Sequence, residues 1–211
     1  MIFKPDFLKL YAITDRAWIY RKPLDQQVED AIRGGATIIQ LREKNISEDE
    51  FIKEAVLIKK VSSKYNIPLI INDNADVAFK SGADGVHVGI NDCPAEVIRR
   101  KYGKNFIIGA TAKTVEQAKS AQKQGADYIG VGAVFPSPTK TDAVRITFSQ
   151  LNDICNSVTI PAVAIGGISL ENIHELTGCS IKGVAVVSAV FGSEDIQSAT
   201  VKLRKEVEKY L

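Results

Sequence analysis

The chain has 211 residues, of which 45% are hydrophobic and 25% are charged, a balance typical of soluble globular proteins. Its formal charge of +2 and its lack of an extended basic cluster argue against a nucleic-acid partner, and no apolar run is long enough for a membrane span. The three cysteines lack metal-type spacing, and so sparse a set favours a reducing cytoplasm over a disulfide framework. The charged N-terminal segment makes a poor secretory signal.

Short apolar runs, each followed by a helical pattern, recur along the chain at residues 10–13, 37–41, 69–71, 85–88, 106–110, 128–131, 162–165 and 183–187. Eight runs leave about 26 residues for each unit of strand, loop and helix. The runs are apolar on both parities, as expected of parallel strands covered on both faces. This pattern predicts an α/β fold, a (β/α)8 TIM barrel forming a single domain over residues 1–211. The alternative, a doubly wound open sheet, lacks a nucleotide fingerprint.

Start and stop signals mark the helices between these runs. Residues 47–50 and 114–117 both have the spacing of a capping box, which begins a helix. Three phrases that begin Gly-Ala, at residues 35–37, 82–84 and 125–127, predict a helix end followed directly by a strand. The last helix is predicted from one apolar stripe, formed by Ile196, Ala199, Leu203, Val207 and Tyr210.

Polar side chains follow nearly every apolar run, where the carboxyl ends of barrel strands form the functional face. After the second run, Gln40, Arg42 and Lys44 share one parity of an extended strand. A row of such donors is suited to phosphate oxygens, since Arg offers a planar fork and Lys a compact charge. The alternative is a strand end that carries solvated charges.

Two carboxylates, Asp73 and Asp92, follow the third and fourth runs. No cysteine or histidine cluster accompanies them, so the predicted metal is Mg²⁺, which typically takes one or two carboxylates together with substrate phosphates. Each aspartate also has a structural alternative as the N-cap of the helix that follows it. His87, inside an apolar run, is interpreted as a core residue in preference to a site residue.

A second anion site is predicted after the last two runs. Gly166 and Gly167 follow the seventh run and Ser188 follows the eighth, where backbone amides of these barrels bind a phosphomonoester. The first site, with a metal and the charges of Arg42, Lys44 and Lys140, is better suited to a diphosphate. The pattern therefore predicts two phosphorylated substrates, with the metal-bound diphosphate of one of them as the leaving group.

Over nearly its whole length, the sequence resembles the thiamine-phosphate synthase family. The phrases that carry the resemblance are residues 11–15, 40–44, 71–73, 85–89, 139–140, 164–168 and 187–188. The resemblance implies that a hydroxymethylpyrimidine diphosphate loses pyrophosphate and that the ring nitrogen of a thiazole phosphate attacks the exposed methylene. No general base is needed, because that nitrogen carries no proton.

The resemblance also implies a role for each matching position. The pyrimidine diphosphate would be bound by Gln40, Leu41, Arg42, Glu43, Lys44 and Asn72, with Thr111 at the position of a pyrimidine-site serine. Asp73 and Asp92 match the Mg²⁺ ligands. Ser137, Pro138 and Thr139 would contact the thiazole phosphate and Lys140 the diphosphate, while Gly167, Val187 and Ser188 would hold the thiazole phosphate group. Arg42, Lys44 and Lys140 would be catalytic, because they neutralise the leaving group.

Some positions depart from the family pattern. Ile90 stands where Gln is frequent, Thr111 where Ser is frequent, and Lys113 where His or Asn is frequent. The alternatives are a thiazole tautomerase-like barrel, which would need a histidine after the sixth strand, another phosphate-binding barrel, or a non-catalytic thiazole-phosphate-binding regulator. The implied partners are small-molecule substrates, and the sequence leaves open a homodimer and whether the thiazole is carboxylated.

Overall fold

The computed structural model describes residues 2–136 and 144–211. Within these ranges, eight parallel strands pair in sequence order, and the last pairs with the first to close a barrel. The predicted (β/α)8 barrel is therefore confirmed. The strands are β1 Leu10–Ile13, β2 Ile38–Leu41, β3 Leu69–Asn72, β4 Gly85–Val88, β5 Ile107–Ala112, β6 Tyr128–Gly132, β7 Ala162–Ile165 and β8 Val184–Val186.

Helices follow the strands and surround the barrel. They are α1 Leu24–Arg33, α2 Glu48–Lys64, α3 Ala75–Ser81, α4 Ala95–Tyr102, α5 Val115–Lys123, α6 Phe148–Asn156, α7 Ser188–Phe191 and α8 Ile196–Tyr210. Short 3₁₀ helices lie at Pro5–Leu8, Arg16–Trp18 and Ile173–Leu176. Over the described ranges, no helix combines the length and the apolar character needed to cross a membrane.

Two apolar layers explain why the strands are hydrophobic on both parities. Side chains of one parity fill the barrel interior, and those of the other pack under the helices. The interior layer includes two tyrosines, Tyr11 and Tyr128, both fully buried. A phenol inside an apolar core needs a hydrogen-bond partner, so these two positions indicate a polar network within the barrel.

The three Gly-Ala phrases close the amino-terminal end of the barrel. Their glycines have φ of +106°, +72° and +88°, the left-handed region in which glycine ends a helix without strain. The third residue of each phrase accepts a hydrogen bond from a backbone N–H at the start of the preceding strand: Thr37 from Leu10 at 2.9 Å, Asp84 from Leu69 at 2.8 Å and Asp127 from Ile108 at 2.7 Å. One repeated phrase thus ends a helix and caps a strand.

One capping box is confirmed and the other is only half formed. Ser47 and Glu50 make both reciprocal contacts at the start of α2. At α5, Thr114 accepts from the Gln117 N–H at 3.2 Å, but the Gln117 side chain accepts from the N–H of Lys113 at 2.7 Å. The prediction of a full box at Thr114 is therefore wrong, because Gln117 reaches one residue further back and fixes the loop after β5.

Candidate active site

A cavity of about 220 Å³ lies at the carboxyl ends of the strands. Strand ends from around the barrel line it, so the sequence-predicted residues come from distant parts of the chain to one place. Those of the predicted set that line the cavity are Gln40, Arg42, Asn72, Thr111, Gly167, Val187 and Ser188. Ile13, His87 and Lys113 line it as well.

The predicted row of donors divides at the end of β2. Gln40 is buried inside the barrel, where its Nε2 donates to Tyr11 Oη at 2.7 Å. Leu41, by contrast, is fully buried in the layer beneath the helices. The strand ends there, and Thr14 Oγ1 accepts from the Arg42 N–H at 3.0 Å. This bond fixes the Arg42 backbone as the chain leaves the sheet.

The two cations that follow β2 have different partners. Arg42 Nη1 lies 3.5 Å from Asp15 Oδ2, at the mouth of the cavity. Lys44 is half exposed and reaches the end of β3, with its Nζ 2.7 Å from Asp73 Oδ2. Gln40, Arg42 and Lys44 are buried, half-buried and exposed, and each has a different partner, so they do not form the single row that parity predicts.

Asp73 is held in an unusual backbone conformation. Its φ is +65°, a region that non-glycine residues seldom adopt, and its N–H donates to the His87 carbonyl at 2.8 Å. Asn72 Nδ2 donates to Asp73 Oδ1 at 2.6 Å. The N-cap of α3 is Asn74, which accepts from the Val77 N–H at 2.9 Å. The N-cap alternative for Asp73 is wrong, since Asn74 already fills that place.

Asp92 likewise does not begin a helix. Its Oδ2 accepts from the Gly89 N–H at 2.7 Å, and Pro94 is the N-cap of α4. Asp73 and Asp92 follow adjacent strands, but nowhere in the described chain do three or more His, Cys, Asp or Glu residues form a set that could hold a metal. Two carboxylates fit a hard cation that takes its other ligands from water and phosphate, as Mg²⁺ does, better than a cation enclosed by protein.

On the opposite side of the cavity, glycines bring the backbone close to neighbouring segments. Gly166 and Gly167 have φ of +103° and +64°, and a Cβ on Gly167 would overlap the Pro136 carbonyl. Val187 and Ser188 follow β8 directly. This rim carries no side-chain charge at the four positions, so main-chain N–H groups and the Ser188 hydroxyl are what it offers an anion. The predicted Ser137, Pro138, Thr139 and Lys140 lie outside the described residues.

A chain of hydrogen bonds inside the barrel joins two residues of the cavity wall. Gln40 Nε2 donates to Tyr11 Oη at 2.7 Å, and Tyr11 Oη lies 2.8 Å from Tyr128 Oη. Tyr128 Oη lies 3.2 Å from His87 Nδ1, and His87 Nε2 lies 3.1 Å from Thr111 Oγ1. We name these five residues the relay.

The interior members of the relay are held uncharged by burial. Desolvation raises the pKa of both Tyr11 and Tyr128 well above that of free phenol. Burial lowers the pKa of His87 to about 4, with the charge of Asp92 acting weakly in the opposite direction. Neither Tyr11 nor Tyr128 is among the site residues predicted from the sequence. The available signal was a polar-tipped side chain inside an otherwise apolar strand.

Glu43 is turned away from the cavity. Its side chain is buried and forms an ion pair with Arg16, which also lies 3.0 Å from Glu54. Burial, reinforced by the nearby Glu54 carboxylate, raises the pKa of Glu43 to about 7 despite the opposing effect of Arg16. The groups that act on the Glu43 carboxylate are therefore Arg16 and Glu54, and not Arg42 or Lys44.

Comparison with known proteins decides the family. The sequence model of the family described as thiamine monophosphate synthase matches residues 10–190 of this chain. The chain belongs to the thiamine-phosphate synthase family. A thiamine-phosphate synthase from Ruminiclostridium cellulolyticum is 50% identical over 194 residues, which cover 92% of each chain. Another from Clostridium botulinum is 45% identical over 200 residues, covering 95% of this chain and 94% of its own.

A solved structure supports the same assignment. The thiamine phosphate pyrophosphorylase from Pyrococcus furiosus has a TM-score of 0.90 with this chain at 42% identity, covering 98% of both. As in other members of the thiamine-phosphate synthase family, the (β/α)8 barrel extends over nearly the whole chain. The cationic and glycine-rich sides of the cavity therefore belong to one barrel mouth.

Proposed function

We propose that the chain condenses 4-amino-2-methyl-5-hydroxymethylpyrimidine diphosphate with hydroxyethylthiazole phosphate, or its carboxylated form, to give thiamine phosphate and pyrophosphate, with release of CO₂ when the carboxylated form reacts. The observation that carries the proposal is one cavity with two unlike anion receptors. Arg42 and Asn72 line one side, and Gly167, Val187 and Ser188 line the other. Such a cavity suits two phosphorylated substrates whose reacting carbon and nitrogen meet between the receptors.

On the cationic side, Arg42 and Lys44 bind the diphosphate. Lys140, which the structure does not describe, is proposed as a third cation for the same group. Asp73 and Asp92 are the residues that would hold Mg²⁺ there. When bound, the ion supplies positive charge that stabilises the departing pyrophosphate. Arg42 adds a planar pair of donors that matches two phosphate oxygens, and Asp15, 3.5 Å from Arg42 Nη1, helps to orient that guanidinium.

The bond that breaks joins the methylene carbon to the ester oxygen of the first phosphate. Its electron pair leaves with pyrophosphate, and the electron-rich aminopyrimidine ring stabilises the cationic carbon that remains. The thiazole nitrogen then donates its lone pair to that carbon. No proton moves in either event, so the chain needs charge stabilisation and positioning but no general base. His87, neutral and fully engaged in hydrogen bonds, is consistent with that requirement.

On the other side, main-chain groups at Gly167, Val187 and Ser188 bind the thiazole phosphate, and Ser137, Pro138 and Thr139 are proposed to contact it too. Gln40 and Thr111 bind the pyrimidine ring. Leu41 and Glu43 belong to the proposed segment of residues 40–44, but both side chains are buried away from the cavity. Leu41 and Glu43 therefore contribute to substrate binding only through their backbone groups and by supporting the neighbouring residues.

The test is a reconstituted reaction with purified protein, Mg²⁺ and both substrates. We expect thiamine phosphate and pyrophosphate in equal amounts, with neither product formed when the thiazole phosphate is omitted. Asp92→Asn should lose metal-dependent turnover and keep the far-UV circular dichroism of the barrel. Absence of thiamine phosphate from the complete wild-type mixture would rule out the proposed function.

Location and assembly are part of the proposal. The three cysteines are free thiols, in keeping with a reducing cytoplasm. A homodimer is the assembly proposed, and light scattering at assay concentration distinguishes it from a monomer.

A further inference from the structure

The relay has space reserved for it inside the barrel. Gly109 on β5 faces the Tyr128 ring and His87 Nδ1, and Gly130 on β6 faces the His87 ring, with His87 Cε1 at 3.1 Å from the position of a Cβ. A methyl group at Gly109 would overlap both relay members. Glycine on β5 and on β6 thus leaves room for the relay side chains inside the barrel, which indicates that the interior is built around these polar groups.

The amide donor at Gln40 favours one direction for the protons of the relay. An amide nitrogen only donates, so Gln40 Nε2 makes Tyr11 Oη an acceptor. The order of protons that then gives every relay atom a partner has Tyr11 donating to Tyr128 and Tyr128 donating to His87 Nδ1. In that order His87 is the neutral tautomer with its proton on Nε2, which donates to Thr111 Oγ1. The hydroxyl proton of Thr111 then remains free to donate to a ligand, and the side-chain carbonyl oxygen of Gln40 remains free to accept from one.

We propose that the relay is a polarity filter that selects an aminopyrimidine over the corresponding oxopyrimidine. The inference rests on the proposed function, which brings a pyrimidine to Gln40 and Thr111. An aminopyrimidine offers an amino donor and an unprotonated ring nitrogen, which complement the Gln40 carbonyl and the Thr111 proton. The 4-oxo analogue offers a carbonyl and a ring N–H, the reverse pattern. Tyr11, Tyr128 and His87 are positioning residues that act through these two contacts.

Burial makes the filter rigid. Tyr11 and Tyr128 are both fully buried, so bulk water cannot replace a broken link. Reversing the pattern at the cavity would require the Gln40 amide to turn over and each proton of the relay to move to the opposite partner. A ligand of the wrong polarity therefore either leaves a buried polar group unpaired or requires this reversal of the whole relay, and both are costly.

The tautomer of His87 gives a test that needs no substrate. The chain contains only two histidines, so ¹⁵N-histidine labelling with His174→Gln for assignment isolates the His87 signals. We expect a protonated Nε2 and an unprotonated Nδ1 in the wild type. Tyr128→Phe, which removes the donor to Nδ1 but retains the ring, should shift the tautomer balance. A wild-type His87 protonated at Nδ1 would overturn the inference.

Discrimination between bases gives the second test. Calorimetry compares the Kd of the aminopyrimidine diphosphate with that of its 4-oxo analogue, in the absence of the thiazole. The wild type should prefer the amino form, and Tyr128→Phe should reduce that preference about tenfold, the effect of one lost buried hydrogen bond. Tyr102→Phe is the matched control, because its hydroxyl donates to Asp76 outside the barrel. Tyr11→Phe replaces Tyr128→Phe if the latter does not fold.

The outcomes separate the two proposals. If the wild type makes no thiamine phosphate, the proposed function fails, while the tautomer of His87 still tests the relay. If the wild type is active but Tyr128→Phe and Tyr11→Phe retain its full preference for the amino form, the polarity filter fails alone. A wild type that binds the oxo form more tightly would also refute the filter.

Discussion

Lys44 Nζ lies 2.7 Å from Asp73 Oδ2, so a cation proposed for the diphosphate already neutralises a carboxylate proposed for Mg²⁺. The pair joins the end of β2 to the end of β3. Asp73 cannot serve Mg²⁺ fully until Lys44 has another partner, and a diphosphate provides one. Binding of metal and diphosphate should therefore favour each other.

Lys44→Gln should separate the two roles. Removing the ammonium frees Asp73, so the affinity of the protein alone for Mg²⁺ should rise severalfold. The gain is limited to about 1 kcal/mol because both side chains are partly exposed. Turnover should fall at the same time, since a diphosphate contact is lost. Calorimetric titration with Mg²⁺ measures the first effect, with Lys101→Gln as control for an ammonium paired outside the site. Weaker Mg²⁺ binding by Lys44→Gln would contradict the model of competition.

Gly167→Ala should weaken the thiazole-phosphate side selectively. The added methyl group would overlap the Pro136 carbonyl, and φ of +64° is strained for alanine. We expect KM for the thiazole phosphate to rise at least tenfold, with a smaller change for the pyrimidine diphosphate. Gly82→Ala is a matched control, with φ of +72° and open space at the Cβ. Equal changes of KM for the two substrates would count against this assignment.

Glu43→Gln should alter the pH dependence of folding stability. The pKa of Glu43 is about 7 in the folded state against an ordinary value of 4.5, so the folded state binds more protons between these values. Its stabilising contribution is complete below pH 4.5 and is lost as the pH rises through 7. Glu43→Gln does not titrate, so its free energy of unfolding is free of this pH-dependent decrease. Its stability relative to the wild type should therefore increase between pH 4.5 and 7.

For one proton, the difference in unfolding free energy between the variant and the wild type changes by at most about 1.4 kcal/mol per pH unit. Urea denaturation at several pH values measures it, and Glu96→Gln, an exposed carboxylate in the first turn of α4, provides the control. A difference between Glu43→Gln and the wild type that does not vary with pH would argue for an ionised Glu43.

Asp84→Ala should reduce stability and leave catalysis intact. Asp84 accepts from the Leu69 N–H at 2.8 Å and from Lys59 at 2.6 Å, at the end of the barrel opposite the cavity. Losing these charge-assisted bonds should cost about 2 kcal/mol. Urea denaturation reports the loss, and kcat measured well below the unfolding midpoint should equal that of the wild type. Asp84→Asn keeps an acceptor for Leu69 and should recover part of the stability. A lower kcat with unchanged stability would refute a purely structural role.

Much of the barrel was predictable because its signals are local. Apolar runs separated by helical patterns predict each strand to within two residues at either end. The Gly-Ala phrases predict the helix ends, since positive φ depends on the residue itself. The half-formed capping box at Thr114 shows the limit of this reasoning. Whether Gln117 bonds to Thr114 or to Lys113 depends on the path of the loop after β5.

The sequence by itself determined the barrel, the family and the strand ends that bear polar side chains, because periodicity and motif spacing are written along the chain. Only the tertiary structure decided which of those side chains meet. It turned Leu41 and Glu43 away from the cavity and gave Gln40, Arg42 and Lys44 different partners, with Lys44 paired to Asp73. It also joined Gln40 to Thr111 through Tyr11, Tyr128 and His87. Contacts across a closed barrel connect residues far apart in sequence, and no local pattern encodes the distances between them.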